Sequence, residues 1–378
     1  MISTPLFKHQ KWRIFAGCLS VLLCMNAAQA QVDTTAAEED FSKYDNLKVV
    51  DENSVQRFCT QKVFGQSPAR LITIGYEVHG GFKGDFALAD QGKGAAAETQ
   101  NIRSSQGLRV EANFPVISRN SLIWNIGGGY IDHSYNFANK TEDIAQPLAR
   151  TLSSRTLRNF YATTTLFKPL NEKSYVLAQV QGEYAGDWQF NELMPINATK
   201  VSATVLYGQK PNERKMWGVG LTRTFRAGEV NYLPVVMFNY SAPSLKWGVE
   251  ILAPARADFR YNFTAQNMIR LGVELEGTSY RLSDKAGYYT NTLANNTTPS
   301  NIELRRSEIK VRAIWDRPIK DFYWLSLTAG YRTFYRYNTD SGEEVFRGFG
   351  LVNKAPYLEV NKLGGAPFIT AIINLVSP

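Results

Sequence analysis

Residues able to do bond-making chemistry are few in this chain. His79 and His133 are the only histidines beyond the first thirty positions, and Cys59 is the only such cysteine. His133 stands in Ile131-Asp132-His133-Ser134, which holds the three residue types of a Ser-His-Asp hydrolase, and a rim enzyme acting on lipid could be built on it. Neighbours on an extended strand point to opposite faces, so the three could meet only if the strand has already ended; polar residues of a rim loop are the plainer expectation. Gly127-Gly128-Gly129 has neither a following helix nor the Lys-Ser/Thr of a phosphate loop, and suits close strand approach or a bulge. Cys59 has no CxxC companion, and no His/Cys/Asp/Glu spacing suggests a metal site. The expectation is a protein that is not an enzyme, with no catalytic set, cofactor or metal.

The charged residues are far more regular than the catalytic types. Between Trp247 and Tyr280, Ala257, Phe259, Tyr261 and Phe263 alternate with Arg256, Asp258, Arg260 and Asn262; after the turn Thr264-Ala265-Gln266-Asn267, Ile269, Leu271, Val273 and Leu275 alternate with Arg270, Glu274 and Glu276. This is strand periodicity, with one apolar face and one charged face. It recurs at Lys310 and Arg312. A soluble sandwich and a membrane barrel with a wet interior share this period, so other features must decide which face looks inward.

Three features decide it. Met1–Ala30 has basic residues Lys8, Lys11 and Arg13, an apolar run from Ile14 to Met25 and small residues at Ala28-Gln29-Ala30, the plan of a cleaved signal peptide. Neither Cys18 nor Cys24 has the setting of a lipidated cysteine, and after cleavage Cys59 is alone, so no internal disulfide is expected. Second, the connections alternate between short and long. Strands are expected near 71–80, 106–115, 121–131, 156–167, 175–184, 201–208, 216–225, 233–240, 246–253, 255–263, 268–280, 302–315, 322–334 and 366–376. Long loops at 81–105, 132–155, 185–200, 281–301 and 335–365 fall on one rim and short turns on the other, the layout of outer-membrane barrels. Third, aromatic residues gather beside the short turns: Phe114, Phe167, Tyr175, Tyr207, Trp217, Tyr240, Trp247, Phe263, Trp315 and Tyr323, with Tyr130, Tyr184, Phe225 and Tyr331 as a sparser outer set. Such rings favour headgroup depth.

The expected architecture is therefore all-β: a transmembrane antiparallel β-barrel of about fourteen strands over residues 71–378. Residues 31–70, with their acidic opening Glu38-Glu39-Asp40, form a periplasmic lead-in or a plug. Fourteen strands require Ala253-Pro254-Ala255 to be a tight outer turn, since proline cannot donate to a ladder; if it is a bulge, twelve is the alternative. The apolar parity then faces lipid, and Arg256, Arg260, Arg270, Glu274, Glu276, Lys310 and Arg312 line the lumen.

Composition agrees. The chain carries 42 Lys and Arg against 34 Asp and Glu; removing the three basic signal residues leaves a net charge of about +5, spread along the sequence. Nucleic acid is excluded as a partner on that distribution. The expected partners are outer-membrane lipid, the barrel-assembly machinery during insertion, and a small polar solute.

The runs Phe238-Asn239-Tyr240, Lys246-Trp247-Gly248-Val249-Glu250, Pro254-Ala255-Arg256-Ala257, Arg260-Tyr261-Asn262-Phe263 and Leu271-Gly272-Val273-Glu274-Leu275-Glu276-Gly277, followed by Ser279-Tyr280-Arg281-Leu282, resemble an uncharacterised family of Bacteroidetes outer-membrane β-barrel proteins. The resemblance covers roughly residues 70–376 and implies fold and location; it carries over no functional residues. The chain departs from the usual barrel ending, closing on Asn374-Leu375-Val376-Ser377-Pro378 without a terminal aromatic residue. The functional expectation is a channel for passive or selective passage of small polar solutes through a mixed-charge lumen, with little preference between anions and cations. The alternative is a closed barrel acting as a structural or surface-binding scaffold through loops 132–155, 281–301 and 335–365. Oligomeric state is left open.

Overall fold

Alternation of apolar and polar side chains becomes, in the computed structural model, strands whose two faces differ sharply. The structure describes residues 58–89, 97–192, 198–264, 266–292, 301–342 and 357–377; the signal peptide and most of the stretch 31–70 lie outside them. Fourteen strands form the wall: β1 (Arg70–His79), β3 (Glu98–Arg119), β4 (Leu122–Phe137), β5 (Leu157–Pro169), β6 (Ser174–Gly186), β7 (Thr199–Asn212), β8 (Lys215–Thr224), β9 (Asn231–Ser241), β10 (Trp247–Ala253), β11 (Arg256–Thr264), β12 (Asn267–Leu282), β13 (Ile302–Lys320), β14 (Tyr323–Asp340) and β17 (Ala366–Val376). Each pairs antiparallel with the next, and β1 closes the ring by pairing with both β3 and β17. Three short strands of the long connections add to the sheet at that rim: β2 (Phe82–Phe86) pairs with β3, β15 (Tyr357–Glu359) with β14, and β16 (Lys362–Leu363) with β2. No helix among the described residues is long and apolar enough to cross a membrane.

The strand count settles on fourteen because β10 ends at Ala253 and β11 begins at Arg256, so Pro254 sits in a tight turn where no ladder donor is needed. The strands outrun their alternating stretches at the long-loop rim. There β3 begins at Glu98, β4 runs to Phe137 and β14 to Asp340. Residues Ile302–Glu308 of β13 are all buried, so both faces of that section are covered and the period of two disappears from the sequence.

The barrel is apolar outside. Leu271, Val273, Val311, Ile369 and Ile373 are exposed on the outer surface, whereas Arg260, Lys310, Arg332 and Glu308 on the opposite parity are buried inside. An apolar outer surface around a polar interior reverses a soluble protein and is the arrangement a bilayer selects. Leu271→Arg, in mid-strand on that surface, is expected to cost about 2–4 kcal/mol of folding stability in bilayers. Urea unfolding midpoints of refolded protein would show it, and an unchanged midpoint would argue against lipid on that face.

The seven residues Tyr207, Trp217, Tyr240, Trp247, Phe263, Trp315 and Tyr323 all lie toward the short-turn ends of their strands, none of them fully buried. Two rings expected beside them, Phe167 and Tyr175, point the other way and are fully buried inside the barrel, and Phe225, expected in the sparser outer set, is buried at that rim. On β5, Phe160 and Leu166 face outward, which turns Phe167 inward; Thr163-Thr164-Thr165 between them carries no polarity contrast from which parity could be read. Tyr175 lies over Gly208, where a Cβ would collide with its ring, and beside Gly218, where a Cβ would crowd its hydroxyl and Leu206; it donates its hydroxyl to the Trp217 carbonyl at 2.9 Å. The two glycines leave the space that the ring fills.

Candidate functional site

The expected lumen residues divide into a paired set and an outlier. Lys310 reaches Glu77 and Glu276, both at 2.9 Å, and Glu308 at 3.2 Å. Glu276 also receives Arg109 at 2.9 Å, and Glu308 receives Arg306 at 2.9 Å and Arg332 at 3.3 Å. Toward the short-turn rim, Arg312 pairs with Glu274 and lies 3.6 Å from Asp258. Arg270 meets Asp316 at 2.7 Å, and Arg260 meets Glu250 at 3.0 Å and the Ser241 hydroxyl at 2.7 Å. Arg256 is the outlier: it shares the inward parity but is exposed at the outer end of β11.

Strand register explains part of the pairing. Glu274 lies directly across from Lys310 and Glu276 across from Glu308, so Lys310–Glu276 and Arg312–Glu274 are diagonal bridges between β12 and β13, whereas Lys310–Glu308 and Arg306–Glu308 run along β13. Charges buried at this depth persist only when paired and hydrogen-bonded. The mixed-charge wall is therefore neutralised within itself, and it fills the side of the interior formed by β10–β14, β17, β1 and β3. Sequence could give the parity of these residues but not their partners, since Glu77 and Lys310 are over two hundred positions apart.

Beside this wall lies a chamber of about 370 Å³, bounded on one side by Arg109, Glu111, Glu274, Glu276 and Arg306 and on the other by β5–β9. Along β6 the inward side chains run Tyr175, Leu177, Gln179, Gln181 and Glu183 from the short-turn rim outward. On β7 they run Leu206, Thr204, Ser202 and Lys200 in the same direction. Val235, Met237 and Leu252 complete the apolar end, and Asn159, Thr278 and Arg306 the polar end. The chamber is thus greasy toward the short turns and polar toward the long loops. Where β8–β11 are short, its wall includes Arg226 and Ala227 of the β8–β9 loop and the exposed Pro254 of the β10–β11 turn.

Both ends of the interior are covered. Residues 58–69 cross the short-turn mouth: the Cys59 amide donates to the Asn171 carbonyl at 3.2 Å, the Phe64 amide to the Glu213 carbonyl at 2.8 Å, and the Ser67 hydroxyl to Glu250 at 2.9 Å. Cys59 and Val63 pack with Phe167, Tyr175, Leu206 and Met216, forming the floor of the chamber. At the opposite end, β12 leans across the mouth until Arg281 pairs with Gly186 of β6, while the Ser307 hydroxyl donates to the Arg226 carbonyl at 2.9 Å. Above it lies an apolar core drawn from four connections, with Phe86, Leu148, Leu152, Tyr289 and Leu363 among its buried members. The helix Pro147–Ser154 and the short helix Tyr288–Thr292 contribute to it. None of this was legible in the loops, whose residues have no period.

The histidine motif does not assemble. β4 continues through His133 to Phe137, so Asp132 and His133 face opposite ways: His133 is buried inside, while Asp132 accepts the Leu108 amide at 2.8 Å and the Tyr130 hydroxyl at 3.0 Å. The Ser134 hydroxyl donates to the Gln106 carbonyl at 3.3 Å. The expectation that the strand ends before His133 is corrected, and with it the rim-loop placement. Among the described residues no group of three His, Cys, Asp or Glu side chains gathers as a metal site.

No protein-family model and no curated relative matches the sequence. Solved outer-membrane barrels match in fold. The Pseudomonas putida toluene transporter TodX is 9% identical with a TM-score of 0.32, over 84% of this chain and 95% of that one. A Pseudomonas aeruginosa FadL homologue is 9% identical with a TM-score of 0.35, over 81% and 90%. The outer-membrane protease OmpT from Escherichia coli is 6% identical with a TM-score of 0.27, over 83% and 98%. These likenesses, to channels and a protease alike, carry no argument at such values, and neither solute nor chemistry passes from them to this chain.

Proposed function

We propose that this barrel sits in the outer membrane of a Gram-negative cell and passes a small solute through its interior chamber, entering near Pro254 and leaving by displacement of residues 58–69. The observation that carries this is the chamber itself: an internal space of about 370 Å³ that reaches the surface at the low side of the wall and ends on an N-terminal segment rather than on the barrel. A space of this size suits a small molecule. Ion pairing along the β12–β13 side of the interior supports a selective path, because most of the fixed charges there are already satisfied and leave Glu183 and the chamber's neutral polar groups to meet the solute. In this reading residues 58–69 act as a plug anchored by Ser67 on Glu250 and by the Lys210 ammonium on the Lys62 carbonyl at 2.9 Å.

The test is single-channel conductance in planar bilayers of residues 31–378 against a variant lacking 31–69. The deletion stops short of Arg70, which begins β1 and pairs with Asp316. Conductance rising from near silence to steady openings on deletion is the expected result. Silence in both, with folding verified by heat-modifiable migration, would overturn the channel and favour a closed scaffold presenting its outer loops, a reading that the covered ends of the interior also suit.

A further inference from the structure

Glu183 differs from the other acidic residues inside the wall. Glu77, Glu250, Asp258, Glu274, Glu276, Glu308 and Asp316 each meet an arginine or lysine. Glu183, only 8% exposed, has no cationic partner among the described residues. Its carboxylate accepts the Thr278 hydroxyl at 2.5 Å, the Gln181 amide at 2.6 Å and, more loosely, the Asn159 amide nitrogen at 3.5 Å. Lys200, directly across the β6–β7 ladder, turns its ammonium away to Glu303 at 2.6 Å. Of the other cations lining the chamber, Arg306 is bound to Glu308 and Arg109 to Glu276, and the Arg226 guanidinium donates to the Leu275 carbonyl at 3.5 Å. A buried carboxylate held by neutral donors alone keeps unsatisfied attraction for a positive charge.

A second observation lies beside it. Asn159 is 7% exposed and lines the chamber, and its Oδ1 has no hydrogen-bond partner. Its amide nitrogen faces the Glu183 carboxylate, which fixes the amide's orientation and leaves the oxygen as a free acceptor. The polar end of the chamber therefore offers a lone anion and an orphaned acceptor together. The other end, with Leu177, Leu206, Val235 and Met237, offers apolar side chains.

We propose that the chamber binds small amphipathic amines, with the ammonium group on Glu183 and Asn159 and the apolar body toward Leu206 and Met237. The ammonium has three donors and no acceptor, which matches two acceptors at one end of a cavity; a carboxylate ligand would meet only repulsion there. This assignment deepens the channel reading by naming the solute class, and its binding test is independent of conduction.

The test uses refolded residues 31–378 in zwitterionic detergent, with three probes sharing one apolar body: phenethylamine, phenethyl alcohol and 3-phenylpropionate. Saturation-transfer NMR titrations at neutral pH give each affinity, with empty micelles as the blank for partition. The amine is expected to bind at least tenfold more tightly than the carboxylate, with the alcohol between them. Glu183→Gln, which keeps the shape and the contact with Thr278, is expected to bring the amine down to the alcohol's affinity while leaving the alcohol unchanged. Equal affinity for amine and carboxylate in the unaltered protein would overturn the assignment without any variant, so a folding defect in Glu183→Gln does not protect it. An amine preference that survives Glu183→Gln would also overturn it. Conductance without amine preference would leave the channel standing and remove this assignment; amine preference without conductance would do the reverse.

Discussion

Replacing Lys310 by methionine is expected to lower barrel stability by about 3–5 kcal/mol, because it leaves buried carboxylates facing one another without their cation. Lys310 is 2% exposed and holds Glu77, Glu276 and Glu308 together across three strands, β1, β12 and β13. Removing one partner of a buried ionic cluster costs more than the cluster contributes, since the remaining charges keep their desolvation and lose their compensation. Arg109 still reaches Glu276, and Arg306 and Arg332 still reach Glu308, so Glu77 becomes the least compensated; it keeps His79 at 2.7 Å and the Thr370 hydroxyl at 3.0 Å. The check is the urea midpoint of refolded protein, followed by loss of the compact band on unheated gels. Lys310→Met with Glu77→Gln should recover part of the loss, as coupled neighbours are non-additive. A midpoint within experimental error of the parent would mean that the wall is hydrated and its pairs are screened.

A second large effect lies in the outer cap and depends on pH. Glu359 on β15 is fully buried, accepting the Leu148 amide at 3.2 Å, the Tyr289 hydroxyl at 2.7 Å and the Thr339 hydroxyl at 3.2 Å. One carboxyl thus ties both loop helices to β14 and β15. Burial pushes its pKa up to about 7 against the pull of the hydrogen bonds from Tyr289, Leu148 and Thr339. Above an ordinary carboxyl value near 4.5 the unfolded chain has lost this proton while the folded cap still holds it. Stability contributed by the neutral form is therefore greatest at low pH and falls as pH rises toward about 7, by about 3 kcal/mol over the window. Hydrogen-exchange protection factors of the helix Pro147–Ser154 at pH 5 and pH 8, each referred to the intrinsic exchange rate at that pH, would read the change, with weaker protection expected at pH 8. Glu359→Gln, neutral throughout, should flatten that dependence and protect the helix at pH 8. Equal protection factors at both pH values in the unaltered protein would show the carboxyl ionised or neutral across the whole range.

The two effects differ in how visible they were. Lys310 was placed on the lumen face by parity alone, whereas Glu359 sits in a long connection where nothing marked it. The amine site falls between: Gln181 and Glu183 had the inward parity, yet only the fold shows that Glu183 stands without a cation while its neighbours are paired. Aromatic residues taught the reverse lesson. Phe167 and Tyr175 were read as an interface pair from their position beside a turn, and the structure turns them inward to floor the chamber.

The sequence by itself determined the approximate strand positions, a count of fourteen or twelve, the inward and outward sets from Arg256 to Arg312, and which rim carries the long loops. These follow from a period of two, from turn residues and from connection length, all local along the chain. Only the tertiary structure decided which charges neutralise each other, that β12 leans across to β6, and that residues 58–69 close the opposite mouth. Those outcomes depend on side chains brought together from distant strands once the ring has closed. Register, strand tilt and the sizes of facing residues then choose the partners, and no spacing within one segment encodes that choice.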